Sequence, residues 1–151
     1  MRVKSEEDIQ ATPSEVFRFV ATDHLQNHPK WDPSILEMTQ TTPGPLHPGT
    51  TARIVRSDRG KRVEGTLTVT EYTPDRDFAA VMEFGPFRLD QQARCSAASN
   101  GGTHLTLVID TRAKGPLRLL LPLMRRRFTR TMRDSLRTIK RHVESAPPTE
   151  A

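Results

Sequence analysis

The chain has 151 residues, of which 34% are hydrophobic and 5% aromatic, which suits one domain with one mainly aliphatic core. No run approaches the roughly 18 apolar residues that a membrane-spanning helix needs, and residues 1–10 lack the basic-then-apolar plan of a signal peptide. The single cysteine excludes a disulfide framework, so we expect a reducing, cytoplasmic setting. The net charge of +5 is concentrated, because residues 116–143 contain nine Lys and Arg residues against one acidic residue, Asp134.

The first part of the chain predicts one strand and two short helices. Residues 2–10 alternate loosely, as a strand does. The stretch Thr12-Pro13-Ser14-Glu15 is a helix start with a capping box, in which the threonine caps the helix and the glutamate reaches back. A second short helix is expected from His24 to Trp31, closed by Asp32-Pro33.

From residue 34 onward the pattern changes to six strands separated by turn signals. The expected turns include Asp58-Arg59-Gly60, Gly85-Pro86 and Asn100-Gly101-Gly102. The predicted strands are Ile35–Thr41, Thr50–Ser57, Lys61–Tyr72, Phe78–Phe84, Phe87–Ser96 and His104–Thr111. Because such short connections join neighbouring strands, the sheet should be antiparallel.

Residues 115–144 carry the only long helical pattern in the chain, and its two faces differ. At about 100° per residue, the apolar stripe comprises Leu121, Met124, Phe128, Met132, Leu136, Ile139 and Val143. The opposite face carries Arg126, Arg130, Arg133, Arg137 and Arg141. Such a helix needs an apolar surface to lie against, so we expect the sheet to curve around it. The result is one α+β domain over residues 1–144 and a flexible tail over 145–151.

Several stretches of the chain resemble one known family. They are Ala11-Thr12-Pro13-Ser14-Glu15-Val16-Phe17, His28-Pro29-Lys30-Trp31-Asp32-Pro33-Ser34, Val69-Thr70-Glu71-Tyr72-Thr73-Pro74, Asn100-Gly101-Gly102-Thr103 and Gly115-Pro116. Together with the element order, they resemble the START-like superfamily, in its polyketide cyclase/dehydrase and lipid-transport branch (SRPBCC), over about residues 3–143. The resemblance implies a helix-grip fold, in which a seven-stranded sheet wraps the long helix and leaves a hydrophobic cavity. Members bind lipids, polyketides, sterol-like molecules or quinones, and some catalyse cyclisation or dehydration.

Alternation along the strands identifies the face that meets the helix. The inward sets run in steps of two through Val63–Val69, Phe78–Phe84, Phe87–Cys95 and Leu105–Ile109. The candidate ligand-binding residues are Trp31, Leu67, Val69, Met82, Phe84, Phe87, Leu89, Gln91, Leu107, Leu121, Met124, Arg125 and Phe128.

Three of these candidates have two interpretations each. Gln91 is an amide in an apolar register, and burying it unpaired would cost about 1–3 kcal/mol. It therefore bonds either to neighbouring backbone or water, or to a ligand carbonyl or hydroxyl. Arg125 lies within the apolar stripe and either snorkels to the edge or points into the cavity mouth, which would favour an anionic ligand such as a fatty acid. Trp31 is either a gate at the cavity's open end, where similar proteins place this helix, or a core anchor.

The residues favour no catalytic, metal or cofactor site. His24, His28 and Asp32 are spaced i, i+4, i+8, but prolines interrupt their helix, so no metal is expected. Cys95 faces inward with no cationic helper nearby in sequence, so we expect an inert thiol.

Proton-transfer catalysis lacks a candidate on the inward face of the sheet. The strand carboxylates all fall outward in this register: Glu64, Glu83, Asp90 and Asp110. The inward face then contains neither carboxylate nor histidine, which argues against an internal acid or base. A slip of one residue would flip a whole strand, and His104 would then be the most plausible imidazole to enter.

Three functions remain open. The first is binding or carriage of one small hydrophobic ligand in the cavity, driven by apolar burial. The second is an enzyme of the polyketide cyclase/dehydrase type. The third is association of the basic helix face with an anionic membrane surface or nucleic acid, through residues that include Arg126, Arg130, Arg133 and Arg137. Against membrane insertion, the apolar stripe is committed to the sheet; against nucleic acid, no aromatic residue is interleaved with the arginines to stack on bases.

The sequence indicates no oligomeric state, and its proline- and arginine-rich composition is compatible with a bacterium of high GC content.

Overall fold

The computed structural model describes residues 1–146 as seven strands and three α-helices. The strands are β1 (Arg2–Ile9), β2 (Ile35–Gln40), β3 (Thr51–Asp58), β4 (Lys61–Thr73), β5 (Asp77–Phe84), β6 (Phe87–Ala97) and β7 (Thr103–Ala113). The helices are α1 (Pro13–Phe17), α2 (His24–Trp31) and α3 (Arg125–Ser145), with one π-helical turn, Arg18–Thr22, between α1 and α2. The predicted element order is therefore confirmed. The predicted tail, 145–151, lies outside the described residues from position 147 onward.

All seven strands form one antiparallel sheet in the order β1-β7-β6-β5-β4-β3-β2. The two short helices lie between β1 and β2 in the chain, and these two strands form the opposite edges of the sheet. The pairing register shifts between Ile35 and Glu37 and again between Val69 and Glu71. Such irregularities bend a strand and increase its twist, which fits a sheet that curves around a helix.

The start of α1 has the capping box that Thr12 and Glu15 predict. The Glu15 amide donates to Thr12 Oγ1 at 3.2 Å, and the Thr12 amide donates to Glu15 Oε2 at 3.0 Å. These two bonds satisfy amides that a helix start leaves without partners. They set the point at which the chain leaves β1 and enters the short helices.

The last helix begins later than its sequence pattern predicts. Instead of one helix from Gly115, the chain forms two short 3-10 turns, Gly115–Leu119 and Leu121–Met124, before α3 starts at Arg125. The reason lies in Gly115, which has a φ of +65°, and in Pro116 and Pro122, which supply no amide hydrogen. Among the described residues no helix combines the length and apolarity needed to cross a membrane.

The apolar stripe of α3 packs against the concave side of the sheet as expected. Its buried residues are Met132, Leu136, Ile139 and Val143. Charged contacts fix the helix along β1: Lys140 Nζ lies 3.4 Å from Glu7 Oε1 and donates to the Asp8 carbonyl oxygen at 2.8 Å. The five arginines of the opposite face, Arg126, Arg130, Arg133, Arg137 and Arg141, are exposed.

Gly65 marks a close approach on the inward face of β4. A Cβ atom at this position would overlap the carbonyl oxygen of Glu83 and the ring of Phe84 on the neighbouring strand. The backbone of β4 must therefore carry no side chain here, and the Phe84 ring fills the space instead.

The Gly65→Ala substitution should lower the free energy of unfolding by about 1–3 kcal/mol, because the added methyl group would clash with the Phe84 ring. Urea unfolding measures this loss. Thr66→Ala is the matched control, since Thr66 is exposed on the other face of the same strand. A Gly65→Ala free energy of unfolding equal to that of the wild type would contradict the proposed overlap.

Candidate ligand-binding cleft

The concave face of the sheet is covered unevenly from one end to the other. On β6 the inward residues Ala93 and Cys95 are buried, whereas Phe87, Leu89 and Gln91 are only half-buried. Leu107 and Ile109 on the neighbouring strand β7 are also half-buried, as is Val63 on β4, which β5 separates from β6. The apolar stripe also changes, because Met124 and Phe128 at its start are half-buried while the residues from Met132 onward are buried. We call the partly open region bounded by these half-buried residues the cleft.

A buried histidine on α2 meets the one amide of this apolar wall. His24 Nδ1 lies 2.8 Å from the carbonyl oxygen of Val20, to which it donates, so Nε2 is an acceptor. The Gln91 side-chain amide donates to that Nε2 at 3.3 Å. Burial, together with the neighbouring His28 ring, lowers the pKa of His24 to about 3, so the ring is neutral at physiological pH. Gln91 thus has a side-chain partner, where the sequence led us to expect backbone, water or ligand.

The second histidine of α2 lies between His24 and an aspartate. The rings of His24 and His28 have centroids 4.7 Å apart, and His28 Nε2 lies 3.7 Å from Asp32 Oδ2. Ser34 donates to Asp32 Oδ1 from its hydroxyl at 2.6 Å and from its amide at 3.0 Å. Burial alone would raise the pKa of Asp32, but the His28 ring and the two Ser34 donors outweigh it and lower the pKa to about 2. His28 Nδ1 is buried without a hydrogen-bond partner among residues 1–146.

An arginine enters the same side of the sheet from β3. Arg56 lies opposite Val63 in the inward register, two residues beyond the fully buried Ile54. Its guanidinium carbon lies 5.3 Å from the centroid of the Phe84 ring, and its Nη2 donates to Ser34 Oγ at 3.5 Å. Within the described chain, the buried Nε atom of Arg56 has no hydrogen-bond partner.

Trp31 joins an aromatic cluster beneath α2. Its ring stacks on His28 with centroids 5.1 Å apart and contacts Phe19 at 5.6 Å. The Trp31 carbonyl oxygen accepts a hydrogen bond of 3.0 Å from Ser135 Oγ on α3. These contacts give Trp31 the geometry of an anchor between α2 and α3, while a gating role for its half-buried ring stays a prediction.

The remaining candidates from the sequence fall into two groups. Four of them lie in the packed core with at most 4% of their surface exposed: Leu67, Val69, Met82 and Phe84. The other four candidates on the sheet are half-buried and lie in the cleft: Phe87, Leu89, Gln91 and Leu107.

The candidates at the start of the last helix also separate. Leu121 is buried, whereas Met124 and Phe128 are half-buried at the cleft. Arg125 is exposed, and its Nη2 donates to the carbonyl oxygen of Arg2 on β1 at 3.1 Å. Its side chain therefore snorkels to the sheet edge, as one of its two interpretations requires.

The inward faces assigned to β4 to β7 carry no histidine, but this register assignment did not extend to the helices. It rests on strand faces alone, but His24 and His28 reach the concave side from α2. Arg56 was missed because no inward face was assigned to β3, although its alternation with Ala52 and Ile54 carries the signal. Glu7 of β1 also has an inward register, but it pairs with Lys140 and not with the cleft.

Neither a thiol nor a metal centre emerges from this geometry. Burial, aided by Asp75 and Asp77, raises the pKa of the Cys95 thiol to about 12, so it stays protonated. Residues 1–146 contain no group of three His, Cys, Asp or Glu side chains arranged to hold a metal ion. His24, His28 and Asp32 do come together, through a ring contact between the two histidines and a 3.7 Å approach of His28 Nε2 to Asp32 Oδ2.

Solved structures share this architecture at low sequence identity. TTHA0849 from Thermus thermophilus is 18% identical with a TM-score of 0.75, covering 95% of this chain and 97% of that protein. A START superfamily protein from Mycobacterium smegmatis is 15% identical with a TM-score of 0.75 and the same coverage of both chains. DynU16, from the dynemicin biosynthetic locus, is 16% identical with a TM-score of 0.67, and the match spans 99% of this chain but 49% of DynU16. At these identities the likeness shows the fold alone.

Among functionally curated proteins, none matches the sequence significantly. At the family level the match is complete, because the polyketide cyclase/dehydrase and lipid transport family aligns with residues 1–144. This span includes every strand, α1, α2 and all but the last residue of α3. The chain therefore belongs to the polyketide cyclase/dehydrase and lipid transport family and has its START-like helix-grip fold.

Proposed function

We propose that the protein binds one small hydrophobic molecule, such as a lipid, polyketide or quinone-like compound, in the cleft. The observation that carries this function is the run of half-buried inward residues on the paired strands β6 and β7, where Gln91 lies directly opposite Ile109. Met124 and Phe128 of the helix stripe are half-buried as well. Apolar side chains that face a core are normally covered, so partly covered ones beside a polar group are expected of a ligand site.

Apolar burial supplies the affinity of such a site. Each square ångström of apolar surface removed from water contributes about 25 cal/mol. A ligand that covers Leu89, Leu107 and Phe128 would remove surface from both the sheet and the helix. It would complete the packing that α3 achieves by itself only from Met132 onward.

Gln91 supplies the polar contact at the inner end of this site. Its hydrogen bond to His24 uses one of the two N–H groups of the amide, so its carbonyl oxygen and second N–H keep bonding capacity. A ligand hydroxyl or carbonyl placed there would be recognised by a side chain that is itself held in position. The proposed ligand is therefore apolar along most of its length, with one polar group.

A cyclase or dehydratase activity on an aromatic polyketide-like substrate is the second candidate, and the pairing of His28 with Asp32 favours it. An ionised Asp32 favours the tautomer in which His28 carries its proton on Nε2, which leaves Nδ1 unprotonated. An imidazole beside a carboxylate can act as a general base, and Nδ1 of His28 has no protein partner among the described residues. His24 is the weaker candidate for this role, since both of its ring nitrogens are hydrogen-bonded.

Native mass spectrometry tests the binding function. Freshly purified protein should carry an added mass that is lost on denaturation and extracts into organic solvent. Leu89→Trp should abolish the added mass by filling the cleft, whereas Leu36→Trp, at a residue exposed on β2, should keep it. If the purified protein has no added mass, the same pair is titrated with a fatty acid and a naphthoquinone. Equal binding by Leu89→Trp and wild type, or no binding of either probe by wild type, would overturn the assignment of the site.

The enzyme function predicts a specific loss in His28→Gln. Incubation with an aromatic polyketide-like substrate should give a cyclised or dehydrated product with the wild type, and its rate should fall at least about 100-fold in the variant because the base is removed. Liquid chromatography with mass spectrometry measures the product. His47→Gln, at an exposed histidine, should keep the wild-type rate. A wild type that produces no more than a protein-free control would show that this second function is wrong.

The buried His24 predicts a pH-dependent stability. Its pKa is about 3 when folded and about 6.5 when unfolded, so the stability is fully present above pH 6.5 and falls as the pH drops toward 3. Between pH 6.5 and 4.5 this amounts to about 2–3 kcal/mol, measured by urea unfolding. His47→Gln should keep this dependence because His47 is exposed. An NMR titration of the His24 ring with a midpoint above pH 5 would contradict the prediction.

A further inference from the structure

Three leucines stand out from the surface just before α3. Leu119, Leu120 and Leu123 are 72%, 50% and 80% exposed, and they lie within five residues of one another. Single exposed leucines are ordinary on a protein surface, but a contiguous group marks an interaction site. We call residues 115–124, which include all three, the leucine segment.

The exposure follows from the conformation of the segment. Leu121 is buried and anchors the segment to the domain, while the 3-10 turns on either side of it carry its neighbours outward. Pro116 and Pro122 prevent the chain from forming the continuous helix that would have placed these residues by helical periodicity. The leucines are thus presented by a defined turn on a buried anchor.

Positive charge surrounds the leucine segment. Residues 111–133 contain eight basic residues and no acidic one: Arg112, Lys114, Arg118, Arg125, Arg126, Arg127, Arg130 and Arg133. Beside the segment lies a shallow pocket of about 410 Å³, whose lining includes Arg112, Arg118 and Arg125 together with Leu121 and Pro122. Exposed leucine side chains close to so many positive charges suit a partner whose outer layer is anionic and whose interior is apolar.

The leucine segment also lies at the open end of the cleft. The Lys114 amide donates to the carbonyl oxygen of Pro86 at 3.0 Å, and Ala113 pairs with Phe87 at the half-buried start of β6. Met124, which bounds the cleft, is the last residue of the segment, and Phe128 lies four residues further along the chain. A surface that receives the leucines therefore approaches the mouth through which a ligand would pass.

We propose that the leucine segment docks the protein on an anionic lipid bilayer, with the three leucines in the interfacial region and the arginines against lipid phosphates. Arginine forms paired hydrogen bonds with phosphate oxygens, and leucine gains from leaving water at the acyl boundary. The expectation against membrane insertion concerned only the apolar stripe of α3, and the three leucines lie outside that stripe. Docking does not require cargo, so its failure would leave the proposed ligand site untouched.

A bilayer fits this surface better than the other macromolecular partners. Nucleic acid would use the arginines but would leave three exposed leucines in water. A protein partner or second copy would need an acidic, apolar counterpart, whereas an anionic bilayer provides both properties wherever it is approached. The basic outer face of α3 adds long-range attraction, but its far end lies about 22 Å from the first turn of the helix, beyond the screening length at physiological salt.

Vesicle flotation tests the proposal with the full chain. The wild type should float with phosphatidylcholine vesicles that contain 30 mol% phosphatidylglycerol and remain unbound with phosphatidylcholine alone. A Leu119→Ser/Leu120→Ser/Leu123→Ser variant should lose at least about tenfold in partitioning, because no apolar tip remains to insert. An Arg126→Gln/Arg127→Gln variant should lose about 25-fold in partitioning, on the order of fivefold per charge.

Leu36→Ser and Arg137→Gln/Arg141→Gln are matched controls away from the segment and should each change partitioning less than threefold. Thermal melts of every variant verify the fold.

Two outcomes would overturn the proposal. If the triple serine variant partitions like the wild type, the protein adsorbs by charge alone and the leucine segment does not insert. If the wild type ignores anionic vesicles while sedimentation shows a dimer that the triple serine variant dissociates, a second copy covers the leucines.

Discussion

The apolar stripe of α3 has to be covered, and the sheet covers only part of it. From Met132 to Val143 the stripe is buried, and ionic contacts between Lys140 and β1 hold this part of the helix in place. At Met124 and Phe128 the stripe is half-buried, although its side chains are no less apolar. Met124 and Phe128 thus mark a part of the stripe that the sheet does not fully cover. Under the proposed function, a bound ligand would cover this part of the stripe.

The polar groups of the cleft region come from α2 (His24 and His28), β3 (Arg56) and β6 (Gln91). Burying an amide, two imidazoles and a guanidinium costs free energy unless each finds partners. Gln91 bonds to His24 and Ser34 donates to Asp32, whereas His28 Nδ1 and Arg56 Nε remain without partners in the described chain. A structure that needed only stability would favour leucine or phenylalanine at these positions. These polar residues therefore indicate selection for something other than packing. A hydrogen bond to a polar ligand atom is the simplest way to offset the free energy that burying them costs.

Strands and turns were predictable because their signals are local. Alternation in β4 to β7 and the capping box at Thr12 depend on neighbours in sequence, and the bounds of these elements agree with the structure to within a few residues. The cleft was harder, since the inward register on β6 does not distinguish the buried Ala93 from the half-buried Leu89. That difference depends on how far α3 extends over the sheet. The helix start could not be placed by periodicity, because Leu121 and Met124 keep the helical phase of the stripe although the chain there is in 3-10 turns.

The late start of α3 bears on both the cleft and the exposed leucines. Had α3 begun at Gly115, its first turns would have continued the stripe over the cleft, and the leucines at 119, 120 and 123 would have been distributed around a helix. Two prolines and one glycine in the left-handed region delay the helix start, and the exposed leucines lie in the 3-10 turns just before α3. If both proposals hold, the docking surface adjoins the ligand site, and a change that restored helix here would be expected to alter both.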